Sequence, residues 1–260
     1  MAEIFVGTSG FSYNDWRNVF YPPNLPASNF LTFYSKEFPI VELNYSYYRI
    51  PESANFTQML KKSEYNLQFV IKAFGGLTHN ITDQSIPVIL PKFKDSLLPF
   101  WKHSKLGAVL LQFPQRFHYT PRSRIYLESL INGFKPFPVC IEFRQREWLK
   151  NSVYKKLREM DVAFACVDEP SLKGLLPPIA MATSGTGYVR FHGRNREKWY
   201  IGNSEERYDY LYTEDELKEW LPRINEISAN TEKIFIFFNN HKQGQAIKNA
   251  RMMIGLLHQS

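Results

Sequence analysis

The chain has 260 residues, 44% hydrophobic and 16% aromatic, with a net charge of +7 and a pI near 9.2. No Gly/Ser-rich linker, low-complexity tract or internal repeat divides it, so a single domain over residues 1–260 is predicted. No stretch approaches the roughly 18 consecutive apolar residues of a membrane span, and the chain opens on strand-like sequence rather than a basic-then-apolar leader.

Eight short strand-like runs follow one another: Ile4–Gly7, Ile40–Asn44, Gln68–Lys72, Ala108–Gln112, Val139–Glu142, Phe164–Asp168, Tyr188–His192 and Ile234–Asn239. Helical segments are predicted between them. Ser28–Phe38 carries Phe30, Leu31, Tyr34 and Phe38 near a 3.6 period, and Ser53–Glu64 and the Pro-interrupted Leu90–His103 follow. Thr120–Pro121 reads as an N-cap with Pro at the first helical position. Thr213–Glu216 reads as a capping box, and the last helix is placed at Gln245–Leu257. The segment Ser171–Thr186 holds Pro177–Pro178 and glycines, so a loop is predicted where a regular barrel has a helix after its sixth strand. Cys140 and Cys166 both fall within apolar runs and read as core thiols, which predicts a cytoplasmic protein.

Strand and helix in alternation close most simply into one (β/α)8 TIM barrel, whose working residues gather where the strands end. A doubly wound open sheet is the rival, but no Gly-x-Gly-x-x-Gly follows the first strand and no Walker-type loop occurs. Residues two apart in a strand share a face. That parity pairs Glu42 with Asn44, Glu142 with Arg144, Arg190 with His192, and Leu110 with Gln112, while Lys72, Asp168 and Asn239 end three further strands. Carboxylates inside a barrel need cations, hydrogen bonds or metal, so the same set also reads as a self-neutralising network, with Lys72 paired to Glu42.

Gly193, Arg194 and Asn195 follow the seventh strand, and Asn239, Asn240 and His241 follow the eighth, with Gly244–Gln245 opening the last helix. Barrels bind phosphate at these two loops, which predicts a small anionic or phosphorylated ligand. Phe11, Tyr13, Trp16, Tyr45, Tyr47, Tyr48, Trp148, Trp199 and Tyr200 interleave with these donors as candidate stacking groups for a base or a sugar ring.

These stretches together resemble the DUF72 (YecE-like) family. The matching runs are Gly7–Tyr13 with Trp16 and Phe20–Pro22; Glu42–Asn44 with Tyr47–Tyr48; Phe69–Ala73 with Thr78–His79; and Leu111–Pro114. They continue with Glu142–Arg144 and Trp148, Val167–Pro170, Arg190–Asn195, and Phe237–His241 with Gly244–Gln245. The resemblance implies a TIM barrel and supplies no reaction. Where the family pattern often has His after Glu-Phe-Arg, this chain has Gln145.

Three chemistries stay open. A metal-assisted enzyme would use a divalent ion on Glu42, Glu142, Asp168 and His192. A metal-free enzyme would use Glu42 or Glu142 as acid/base, or Lys72 as a Schiff-base amine. A nucleic-acid-binding or processing protein would use the basic charge and interleaved aromatics, although the acids among the cations favour an enzyme. The catalytic candidates are thus Glu42, Lys72, Glu142, Asp168 and His192. The ligand-binding candidates are Ser9, Asn44, Tyr48, His79, Gln112, Arg144, Arg190, Gly193, Arg194, Asn195, Asn239, Asn240, His241 and Gln245.

Overall fold

Inward-facing positions change character along every strand, and that gradient organises the molecule. The computed structural model describes residues 2–259, with the backbone alone for Ser204 and Glu205. Its eight strands, β1 (Glu3–Ser9), β2 (Ile40–Leu43), β3 (Gln68–Lys72), β4 (Leu106–Gln112), β5 (Val139–Glu142), β6 (Ala163–Asp168), β7 (Thr186–Phe191) and β8 (Lys233–Phe238), run parallel and close β1 onto β8 in a TIM barrel. These are the eight runs read from the sequence, with ends shifted by at most two residues.

In the lower barrel the inward set is apolar: Ile40, Val70, Leu110, Cys140, Ala165, Tyr188 and Phe237 pack together, with Phe5 against them. One pleat further along, the same faces carry Ser9, Glu42, Lys72, Gln112, Glu142 and Arg190. The register places Ser9 beside Glu42 and Gln112 beside Glu142. Outward residues such as Val41, Leu43, Phe69, Ile141 and Phe164 form the second, larger core beneath the helices.

The outer layer follows its local signals. Thr120 Oγ1 accepts from Ser123 N at 3.1 Å to start the helix Pro121–Phe134. Both arms of the capping box at Thr213 and Glu216 are made. The helix behind that box is cut into Glu214–Lys218 and Leu221–Ser228, because Pro222 cannot continue the first segment. Ser28–Phe38 is shorter than its periodicity suggests, a 3-10 turn at Ala27–Asn29 and a helix at Phe30–Tyr34. The helix Gln245–Leu257 has the bounds read from the sequence.

Between β6 and β7 no helix forms, as the prolines require. The crossover is pinned instead by Thr183 Oγ1 donating to the Val162 carbonyl at 2.6 Å. Among the described residues, no helix is long and apolar enough to cross a membrane.

Gly7 marks the tightest approach in the barrel wall, since a Cβ there would lie 2.1 Å from the Ile40 carbonyl oxygen. That carbonyl already accepts from Tyr34 Oη at 3.0 Å and has little room to move. Gly7→Ala is therefore expected to lower unfolding free energy by about 1–3 kcal/mol, measured by urea denaturation.

Candidate functional site

At the C-terminal ends of the strands, a cavity of about 510 Å³ is lined by Lys72, Arg144, Arg190, Asn44, Asn239 and His79, with a wall of Phe11, Tyr13, Tyr45, Tyr47, Tyr48 and Tyr208. A smaller one of about 240 Å³ adjoins it through His79, Arg144 and Tyr208 and adds Gln112, Trp199, Tyr200 and Arg207. Seven of the nine aromatics singled out from the sequence stand here; the other two, Trp16 and Trp148, are fully buried in the core.

Beneath the larger cavity lies a buried ion network. Arg190 on β7 donates through Nη2 to Glu42 Oε1 at 2.6 Å and through Nη1 to Glu142 Oε2. Glu42 Oε2 accepts from Tyr188 Oη at 2.8 Å. Arg144 Nε sits 2.5 Å from Glu142 Oε1, although the angle is not that of a hydrogen bond. Burial would push the Glu142 carboxyl up, but Arg144 and Arg190 outweigh it and hold the group well below the usual carboxylate range. Arg144 also donates through Nη1 to Glu169 Oε2 at 2.9 Å. Burial raises Glu169 to about 7 against the pull of Arg144.

His192 is buried beside them. Arg144 Nη2 lies 2.9 Å from its Nε2, closer than the 3.3 Å contact of that nitrogen with Glu142 Oε1. A guanidinium and an amide nitrogen can only donate, so the ring, with Asn239 Nδ2 3.2 Å from its Nδ1, is neutral and accepts from one of these two donors. Burial and then the Arg144 charge lower its pKa to about 3.

The expected Glu42–Lys72 ion pair does not form. Both Glu42 oxygens are taken by Arg190 and Tyr188, and among the described residues no carboxylate lies within ion-pair reach of Lys72. Its Nζ instead stands 4.8 Å from the centre of the Tyr47 ring. Burial, then the Arg190 charge, lower this amine from 10.5 to about 8. His79, edge-on to Tyr47 at 4.8 Å, is lowered to about 4 by burial and then by Lys72.

Other predicted residues are placed elsewhere. Asp168 shares its strand parity with Phe164 and Cys166, which face outward, so it points away from the barrel axis. There it accepts from Tyr212 Oη and Trp220 Nε1, each at 2.7 Å, and from Arg194. The predicted phosphate loops are also engaged internally. Gly193 N donates to Tyr212 Oη at 2.7 Å, and Asn195 Nδ2 holds the Glu206 carbonyl at 3.0 Å. Asn240 binds Asn249, and Gln245 accepts from Tyr210 N. These bonds build the wall that carries Trp199 and Tyr208. His241 stacks on Tyr13 at 4.6 Å and lines the cavity, as Tyr48 does at the rim. Ser9 is buried and lines neither cavity; Gln145 also lines neither and donates to the Gln115 carbonyl at 3.2 Å.

The four metal-ligand candidates do not fit a metal. The oxygens of Glu42, Glu142 and Asp168 are held by guanidinium, phenol and indole groups, and among the described residues no group of three His, Cys, Asp or Glu is placed to hold an ion. Tyr208, Arg207 and Glu169 were not singled out from the sequence. Glu169 had a signal, its place in the Val167–Pro170 run; Arg207, which ends the helical turn Ser204–Arg207, and Tyr208 just after it had none.

Two substitutions should act oppositely. Arg190→Met leaves Glu42 and Glu142 buried with lost partners and should cost about 3–5 kcal/mol. With a folded-state value near 8 and an unfolded one near 10.5, Lys72 binds a proton more readily when unfolded between those limits, so its penalty is full below pH 8 and fades as pH rises to 10.5. After discounting for partial exposure, Lys72→Met should stabilise by about 1–2 kcal/mol at pH 7 and by nothing near pH 10.5, both read by denaturation across pH.

Comparison with known proteins agrees with this architecture. The family model described as "Protein of unknown function DUF72" matches residues 5–260. The UPF0759 protein YunF of Bacillus subtilis (strain 168) is 32% identical, covering 98% of this chain and 94% of its own. The crystal structure of a DUF72 family protein from Thermotoga maritima MSB8 superposes with a TM-score of 0.90 at 38% identity, covering 98% of this chain and 99% of that one. One from Enterococcus faecalis V583 superposes at 0.86 and 26% identity, covering 99% and 96%. Matched by the family model over residues 5–260 and by a 32% identical relative over nearly its whole length, the chain belongs to the DUF72 family.

Proposed function

We propose that the mouth of the barrel is the active site of an enzyme that takes a small anionic, sugar-like or phosphate-bearing ligand and works by acid–base chemistry of its own side chains. One observation carries this reading: the charged groups lining the two cavities are Lys72, Arg144, Arg190 and Arg207, all basic, while Glu42 and Glu142 lie fully buried behind them. The acids fix the guanidinium groups; the cations meet the ligand. This preorganised field stabilises negative charge without reorganisation.

Two unsatisfied atoms support the same reading. Arg190 Nε and Asn44 Oδ1 are buried on residues that line the cavity and have no partner. Buried polar groups in folded proteins are nearly always bonded, and a ligand would complete both. The aromatic wall suits the face of a sugar ring, and a volume near 510 Å³ suits one small molecule. Lys72 is the lining cation whose charge changes near neutrality, which makes it the acid/base group of the site.

The test is a thermal-shift titration with inorganic phosphate, ribose 5-phosphate and glucose 6-phosphate against glucose and ribose. The phosphorylated compounds should raise Tm, by about 2.7 kcal/mol of added stability at a hundredfold excess over Kd, and Arg144→Gln should weaken them at least tenfold. Equal shifts with the neutral sugars would overturn the anionic ligand. No shift with any of them, alongside salt-dependent binding of single-stranded nucleic acid, would move the site to polyanion recognition.

A further inference from the structure

Lys72 differs from every other cation of the site. It ends β3 on the inward parity, and its amine opens on the cavity. Arg144 and Arg190 each hold buried carboxylates, whereas among the described residues no carboxylate pairs with Lys72. Its Nζ stands over the face of Tyr47. A buried ammonium beside the Arg190 guanidinium, with no carboxylate paired to it, loses its proton more readily than a solvated lysine, so the neutral amine is populated near neutrality.

We propose that Lys72 is a covalent centre, whose neutral amine adds to the carbonyl carbon of an anionic aldehyde or ketone and forms an imine. This rests on the anionic-ligand reading above and names the reactive group its substrate must carry. The nitrogen lone pair forms the C–N bond as the carbonyl π pair moves to oxygen. A proton passes from nitrogen to that oxygen to give the carbinolamine, which then loses its hydroxyl as water while nitrogen gives up its remaining proton. One C=N bond and one water result, with no change of oxidation state.

The surroundings suit each stage. Arg144 and Arg190 stay charged at all working pH values and hold the anionic end of the ligand beside the amine. His79, neutral at working pH and packed edge-on to the same Tyr47 ring, stands in the cavity with Lys72 as a proton carrier. The lowered basicity of the amine leaves about half of it neutral near pH 8.

The experiment incubates the full chain with D-glyceraldehyde 3-phosphate or with D-glyceraldehyde, each with cyanoborohydride, and maps the reduced adducts by peptide mass spectrometry. The expected result is one adduct at Lys72, at least tenfold faster than at any surface lysine. Its rate should level off above a midpoint near pH 8, fall when inorganic phosphate competes, and vanish in Lys72→Met without loss of Tm. Labelling spread evenly over surface lysines, or none at Lys72, overturns the imine. If the phosphorylated aldehyde raises Tm yet leaves Lys72 unlabelled, the imine falls and the anionic site stands. If both aldehydes label Lys72 equally fast and phosphate does not protect, the covalent centre stands and the anionic reading falls.

Discussion

The planar fork of Arg190 decides the arrangement of the site. Its two terminal nitrogens reach Glu42 on β2 and Glu142 on β5, tying opposite sides of the barrel through one fully buried group. A guanidinium can do this because it offers two donors at fixed spacing and keeps its charge when desolvated. A lysine amine is a single point charge that neutralises under burial. In the competition for Glu42, arginine and the Tyr188 phenol therefore win, and Lys72 on the neighbouring strand is left with an aromatic partner. Replacing a buried ion network by apolar groups is often neutral or stabilising, so the network is poorly explained as a stability device. Its effect is to hold cations at a cavity floor.

A second, separate network builds the wall. Asp168 collects a phenol, an indole and a guanidinium on the outer side of β6. The chain after β7 is thereby clamped against the helices that follow it. Through that clamp, the loop from 193 to 213 carries Trp199 and Tyr208 over the mouth, where Arg144 lies 5.7 Å from the Trp199 ring. The donor-rich run Gly193–Asn195 serves this anchoring, and the cations on the cavity floor come instead from Lys72 and Arg190 on strands and Arg144 just past β5. Groups on strands are positioned more rigidly than groups on loops, which suits chemistry that depends on charge placement.

Much of this was legible from the residues. The alternation of faces put Glu42 with Asn44, Glu142 with Arg144, and Arg190 with His192 inside the barrel, and the polar residues at strand ends marked the mouth. The same parity rule, applied to β6, separates Asp168 from the inward Ala163 and Ala165; reading it only as a strand-end residue grouped it with the cavity. Pairing was not legible. Which of three cations takes Glu42 depends on side-chain reach and on the second acceptor Tyr188, neither of which has a sequence pattern. Tyr208 and Arg207 were invisible for a similar reason, since one helical turn and the residue after it are too short for a periodicity that would give their side chains a direction. Glu169 escaped because its neighbour Asp168 is the more conspicuous acid, yet it is Glu169 that meets Arg144.

The two networks divide labour in a way that follows from their chemistry. Arginine–carboxylate pairs keep their charge across the working pH range, so they define a constant field at the cavity floor. Lys72 and Glu169 are placed where burial brings their ionisation toward neutrality, to about 8 and about 7. Glu169 is coupled to that field through Arg144, behind the cavity, whereas Lys72 stands in it. A fixed field with one adjustable group facing the cavity is the arrangement acid–base and nucleophilic catalysis both require. Pairing Lys72 with Glu42 would have locked that adjustable group in its charged form, so the preference of Glu42 for Arg190 and Tyr188 is what leaves the site chemically responsive.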